Sequence, residues 1–153
     1  MRRSDREITD KNEIFDVLRR ADTVRLGING EPYPYVVPLS FGLEERDGQI
    51  IIYVHGAKEG LKHELIKKDS HVCIEADIFY RYAETNPGFT TVYESVIGFG
   101  AAEEALGEEA VRGCELLLEH CGFGGCGFDR AGLMHTRVYK IVLHSVTGKR
   151  RFL

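Results

Sequence analysis

Apolar and polar positions along this chain fall into short blocks separated by turn-forming residues, a pattern of many strands and few helices. The first block is helical. Asp10-Lys11-Asn12-Glu13 has the form of a capping box, and Ile14, Phe15, Val17 and Leu18 supply the apolar stripe of a short helix ending near Arg20. Thr23 to Ile28 has strand character, and Asn29-Gly30 predicts a two-residue hairpin turn. The return strand, Tyr33 to Phe41, carries Pro34 and Pro38. Two prolines argue against a fully paired central strand; they suit an edge, a bulge, or a place where a ligand replaces sheet hydrogen bonds. Asp47-Gly48 predicts the next hairpin turn, which delivers the chain into the apolar run Ile50 to Val54, a buried strand.

Lys62 to Lys68 follows as a helix with Leu61, Leu65 and Ile66 on one face, and His71 to Ala76 as a strand. Residues 79–89 are aromatic and polar with an Asn86-Pro87-Gly88 break, which predicts a loop. Thr90 to Ala102 is a long strand in which Gly98 and Gly100 suggest a bulge or a close approach by another chain. The clearest helix is Glu108 to His120, with Val111, Cys114, Leu117, Leu118 and Cys121 on a single stripe. Its exit, Cys121 to Phe128, is too rich in glycine for regular structure. Thr136 to Val146 alternates, with Val138, Lys140, Val142 and His144 on one side and Tyr139, Ile141, Leu143 and Ser145 on the other. Thr147 to Arg151 then predicts a closing turn and a basic tail. Closely spaced, hairpin-linked strands with peripheral helices predict a mainly β protein built as a small closed or nearly closed barrel. A chain of 153 residues fits one such domain.

Composition narrows the function classes. The 20 basic and 24 acidic side chains give a formal charge of −4, which argues against a general nucleic-acid surface while leaving room for a local basic pocket. No apolar run approaches the length of a membrane span, and Met1 to Arg6 is charged with no apolar segment behind it, so a cytoplasmic protein is expected. In a reducing compartment the four cysteines read as thiols, with Cys73 and Cys114 in the core. Cys121 and Cys126 form one loose pair, where structural zinc sites bring two tight ones, so no metal is expected.

The stretch from His55 to Lys62 offers chemistry. Gly56 and Gly60 lie in a strand-to-helix turn with Lys58 and Lys62 beside them. Free backbone N–H groups, the positive end of a helix dipole and two ammonium groups together suit an anion, and a phosphate above all. A glycine-bearing loop with solvated lysines is the plainer reading of the same residues.

Three ordered stretches then carry a resemblance: Pro34 to Phe41, His55 to Lys62 and Tyr93 to Gly100, with Thr147-Gly148-Lys149-Arg150 at the end. Over nearly its whole length the chain resembles the Nim-type (5-nitroimidazole resistance) branch of the pyridoxamine 5′-phosphate oxidase-like flavoproteins. The resemblance implies a split β-barrel that forms a homodimer and holds FMN in clefts at the subunit interface. FAD could share the same phosphate site. It places Val37, Pro38, Leu39 and Ser40 beside the flavin ring, and the phosphate at His55, Gly56, Ala57, Lys58 and Lys62, with Lys62 as the main partner. It also places Tyr93 and Ser95 near the cleft, contributed by the same subunit or by the other. His55 becomes the one candidate catalytic residue, able to donate a proton to a substrate as that substrate receives electrons. Glu94 departs from the pattern, because several relatives carry a basic residue there.

Three functions compete on this evidence. The first is a flavoenzyme passing electrons from a nicotinamide donor to a small electron-poor substrate such as a nitro compound. The second is a non-catalytic carrier of flavin, deazaflavin or heme on the same scaffold, and the third an interaction module with an empty cleft.

Overall fold

The computed structural model describes residues 3–128 and 130–153. Strand β1 (Glu7–Ile8) leads to helix α1 (Lys11–Arg20), which starts at Asp10, whose side chain accepts a hydrogen bond from the Asn12 N–H at 2.8 Å. The reciprocal half of the predicted capping box does not form, because Glu13 pairs with Arg150 at 2.8 Å. Ile14, Val17 and Leu18 are buried and join the main core, each burial contributing on the order of 1.5–3 kcal/mol. The chain continues through β2 (Val24–Ile28), β3 (Tyr35–Leu39), β4 (Phe41–Arg46), β5 (Gln49–Ala57), α2 (Leu61–Lys68), β6 (His71–Glu84), β7 (Phe89–Ala105), α3 (Glu108–His120) and β8 (Thr136–Arg151).

The strands form one antiparallel sheet in the order β3-β2-β6-β7-β8-β5-β4, with β1 added to β8. Its two edge strands, β3 and β4, are consecutive in sequence and separated by Ser40 alone. The sheet must therefore roll until its edges meet at that residue, although no ladder joins them. The result is a split barrel, open along the β3–β4 seam. Inside lie Val24, Leu26, Phe41, Ile52, Val54, Ile74, Val96 and Ile141, all fully buried. A smaller cluster, Ile51, Tyr53, Ala105, Leu116 and Val138, fills the space between the outer face of β5 and β8 and helix α3.

Helix α3 comes close because two glycines permit it. A Cβ on Gly42 would lie 2.8 Å from the Leu117 nitrogen, and one on Gly113 would lie 2.7 Å from the Tyr53 ring. The Tyr53 hydroxyl, at the centre of this contact, meets Glu109 at 2.5 Å and Glu44 at 2.8 Å and accepts from Arg46 at 3.1 Å. Arg46 and Lys140 balance the carboxylates. The Tyr53 hydrogen bond, aided by those cations, holds Glu109 down at about 2.

Four local expectations are corrected. The Asn29-Gly30 turn is the start of a longer loop, since Ile28 pairs with Tyr35. The strand expected from Tyr33 to Phe41 breaks at Ser40, and its halves join opposite edges of the sheet. The loop expected over 79–89 is the distal half of a long hairpin. β6 runs to Glu84, Phe89 resumes pairing, and only Thr85–Gly88 turns, closed by a Thr85 N–H to Gly88 carbonyl bond of 2.8 Å. Aromatic strand formers outweigh the turn signal there. Thr147 to Arg151 is also strand: Gly148 marks close packing rather than a turn, since its Cβ would sit 2.8 Å from Ile14 and 2.9 Å from Ile8. The irregularity expected near Gly98 and Gly100 is present, a register shift between Phe99 and Gly100 against β8.

Gly42→Ala is expected to force α3 off β4 and to lower stability by about 1–3 kcal/mol, read from the midpoint of urea unfolding.

Candidate functional site

The end of β5 and the start of α2 present two different surfaces, because adjacent strand residues point to opposite faces. His55 lies opposite Val138 and so faces α3 with it, while Gly56 lies opposite Arg137 and faces the barrel side with Tyr139. The β4–β5 register ends with Phe41 opposite Val54, which puts Ser40 next in line beside His55.

On the barrel side, the Lys62 ammonium sits over Gly56, where a Cβ would come within 2.5 Å of Nζ and 3.8 Å of His63 Nε2. Lys62 is half-buried, and burial lowers its pKa from the ordinary lysine value. Among the described residues its one hydrogen bond is to the His55 carbonyl oxygen at 3.4 Å, too long to satisfy an ammonium, and no carboxylate among them pairs with it. Helix α2 begins at Gly60 with no side-chain cap; the His63 and Glu64 amides bond to the Gly60 carbonyl, and those of Leu61 and Lys62 have no acceptor among the described residues. A cation and two free amides thus converge at a helix N-terminus.

Arg137 and the pair His63–Tyr139 complete this side, and none of the three was singled out from the sequence. His63 is buried, with Nδ1 3.0 Å from the Tyr139 hydroxyl and the rings stacked 5.5 Å apart. Burial first, with Lys62 and Arg137 adding, lowers the His63 pKa, so the ring is neutral at pH 7. Arg137 Nε is 3.2 Å from Glu104 but out of alignment, which leaves its proton unpaired. The alternation of β8 already puts Arg137 on the Tyr139 side; that Gly56 lies opposite follows only from strand register.

On the α3 side, His55 is exposed yet stands in the wall of a cavity of about 220 Å³, with Cys114, Leu117 and Leu118 of α3 and Phe128, Gly132, Leu133 and Thr136 around it. Protein packed around the imidazole, with Lys62 adding, pushes its pKa below the ordinary value. Cys114 lines this pocket and is half-buried, packed against the smaller core cluster, and Cys73 too is only partly buried. Of the predicted stripe of α3, Val111 is buried as expected; the other buried positions, Gly113 and Leu116, lie one step from Cys114 and Leu117, because the close approach at Gly113 turns the helix toward Tyr53.

The remaining site residues are dispersed. Val37 and Leu39 are half-buried against the main core, Pro38 is exposed opposite Arg25, and β3 has no strand on its other side. Ala57 and Lys58 are exposed, and Lys58 lines a separate groove with Glu104 and Met134. Tyr93 and Ser95 do not join the site within one chain. Ala105 is the β7 residue level with His55, and Tyr93 is twelve residues away along the strand, on the order of 40 Å. Glu94, between them, is buried on the opposite face, accepting from Arg20 at 2.7 Å and Tyr80 at 2.6 Å. No group of three or more metal-ligating side chains occurs among the described residues, and no helix there is long and apolar enough to cross a membrane. Cys121 and Cys126 are exposed and unbonded.

An open-seamed barrel with a cationic strand-to-helix turn is the architecture of a known class. A family model described as pyridoxamine 5′-phosphate oxidase matches residues 10–150, and the chain belongs to that family. Among solved structures, a candidate 5-nitroimidazole antibiotic resistance protein from Bacteroides thetaiotaomicron is 27% identical with a TM-score of 0.82, over 94% of this chain and 85% of that one. The flavocytochrome Anf3 from Azotobacter vinelandii shares the fold at 18% identity and a TM-score of 0.81, over 100% of this chain and 72% of that one. An FAD and heme binding protein from Mycobacterium smegmatis shares it at 17% identity and a TM-score of 0.76, over 95% and 73%. No curated protein matches the chain.

Gly56→Ala is expected to leave the fold intact but displace the Lys62 ammonium, visible as a changed lysine Nζ signal by NMR. His55 and His63 have pKa values below those of the unfolded chain, so on acidification the unfolded state takes up protons first. Their contribution to stability is complete above about pH 7 and declines as pH falls below about 6.5. Thermal unfolding at pH 7.5 and 5.5 reads this decline, which His63→Gln should reduce.

Proposed function

We propose that this protein is a flavin-dependent oxidoreductase that binds FMN, or FAD through the same phosphate, and passes electrons to a small electron-poor substrate. The observation that carries the reading is Lys62: a half-buried ammonium without a carboxylate partner, seated on Gly56 at the uncapped start of α2. Those features fit a phosphate, whose oxygens would supply the acceptors that Lys62 and the Leu61 and Lys62 amides lack. Family membership and the flavin-named neighbours support the same ligand.

In this reading Lys62 holds the phosphate, with Lys58 and the backbone of Gly56 and Ala57 assisting, and Arg137 adds positive potential from β8. Val37, Pro38, Leu39 and Ser40 offer the free backbone edge of β3 to the ring system. Flavin, when bound, supplies the electron transfer itself. His55 stands ready at the seam to hold a proton at an imidazole nitrogen and deliver it to the substrate; its lowered pKa keeps the ring neutral at pH 7 and makes the imidazolium, once formed, a stronger acid.

Tyr93 and Ser95 contribute only from a second copy, which the reading supplies as a homodimer. The outward faces of β3, β6 and β7 support it, since Val36, Phe79 and Phe99 are 58%, 53% and 55% exposed there. A neutral imidazole is also the form that ligates iron, and two neighbours are named for cytochrome or heme. The second reading is therefore a heme carrier, and the absorption spectrum of the purified protein separates the two.

Lys62→Ala is expected to weaken FMN at least tenfold while changing riboflavin, which lacks the phosphate, by less than twofold. Equal weakening of both would make Lys62 structural. His55→Ala is expected to keep FMN affinity, to lower kcat by about 10²–10⁴-fold, and to remove a wild-type kcat that rises as pH falls toward the lowered His55 pKa. An unchanged kcat would remove His55 from the chemistry.

A further inference from the structure

Strand β8 pairs with β7 along one edge from Val138 to Arg151, so its other two partners, β5 and β1, lie end to end along the opposite edge. The β5 ladder stops at Val142 and the β1 ladder at Gly148. Leu143 to Thr147 therefore have no strand partner on that edge, and no backbone bond from a loop reaches them among the described residues. The cause is His144, the extra residue where the register against β7 shifts between Phe99 and Gly100. A bulge bends its strand, and β5 leaves the edge at that bend. The break spans about 13 Å at the usual strand rise. It opens onto a cavity of about 520 Å³.

The break has the sidedness of a missing strand. Its inner wall is Ile8, Ile14, Ile50, Leu143 and Val146, all in the main core or packed against it, while Ser145 and Thr147 are exposed. β1 shows what this edge accepts: a two-residue strand from a segment distant in sequence, with Ile8 buried and Glu7 half-buried. We infer that the break binds an extended peptide from another protein, which adds a short strand to β8. Alternation sets its chemistry, two aliphatic side chains turned inward and separated by one polar residue turned outward. Main-chain hydrogen bonds supply the affinity and alternation the choice, so the volume of the cavity does not decide what binds. Because β1 and β5 block the line at both ends, the peptide must bend away after about four residues, which suits a loop or a chain end. The site lies at the far end of β5 from His55, on the order of 20 Å away, and does not depend on the flavoprotein reading.

The peptide acetyl-Gly-Thr-Val-Thr-Val-Thr-Gly-amide tests this against two controls. One is acetyl-Gly-Thr-Thr-Val-Val-Thr-Gly-amide, which has the same composition without the alternation. The other is the first peptide with the main-chain nitrogens of its five central residues methylated, which keeps the side chains and removes the donors. Fluorescence anisotropy of labelled peptides reads affinity, and amide hydrogen exchange of the full chain reads the place of binding. The alternating peptide is expected to bind at least tenfold more tightly than either control. It should slow by tenfold or more at least one amide from Leu143 to Thr147 that exchanges fast in the free protein. Thr9→Trp and Gln49→Trp, two exposed positions on the rim, should each weaken the alternating peptide at least tenfold, with the urea midpoint showing that the fold is kept. Absence of binding overturns the proposal, as does equal binding of the three peptides, binding unchanged in both variants, or no slowing between Leu143 and Thr147. If every amide there is already protected in the free protein, a second copy or the chain itself covers the edge, and the proposal also fails.

Discussion

Everything in this molecule depends on a single-residue joint. The strands on either side of Ser40 belong to opposite edges of the sheet, so the backbone cannot pass from one to the other unless the sheet has curled through nearly a full turn. The curl creates the interior that α1 and the inward residues of the strands fill, and it leaves a seam that no ladder closes. A closed barrel would have satisfied its edge groups internally; this one keeps free backbone along β3. The proline at 38 is tolerated for the same reason, since β3 has a neighbour on one side only.

The joint also places the chemistry. It brings Ser40 beside His55 at the end of β5, where the period of two splits successive residues between two environments. One face holds an excess of positive charge, Lys62 and Arg137 against Glu104, with a neutral histidine beneath. The other holds a neutral histidine against aliphatic and aromatic walls. The two surfaces lie within one strand residue of each other. Both histidines owe their lowered pKa values to the same causes, burial first and nearby cations second.

The position of α3 decides whether the second of these surfaces exists. Two glycines bring the helix onto the sheet, and the carboxylates meeting at Tyr53 hold it there. That contact leaves Cys114, Leu117 and Leu118 lining the pocket beside His55, with Cys114 also packed against the smaller core. A helix one step farther out would leave His55 on an open surface.

Much of this was legible in the residues themselves. Alternation in β8, the apolar run of β5, the helices and the prolines of an edge strand follow from local sterics and patterning, and so do a barrel class and a glycine–lysine turn suited to an anion. What local pattern could not supply was anything set by pairing across distant strands. The prolonged β6–β7 hairpin and the strand character of Thr147 to Arg151 were obscured by turn signals that are locally genuine, and long-range ladders outweighed them. Arg137 enters the cationic cluster because register puts it opposite Gly56, and Tyr93 leaves the His55 site because twelve residues of strand lie between them. The sequence by itself determined the elements and the kinds of side chain they carry, since those depend on neighbours along the chain. Tertiary structure alone decided which of them share a surface, because register and curl set distance, and distance sets charge and solvation.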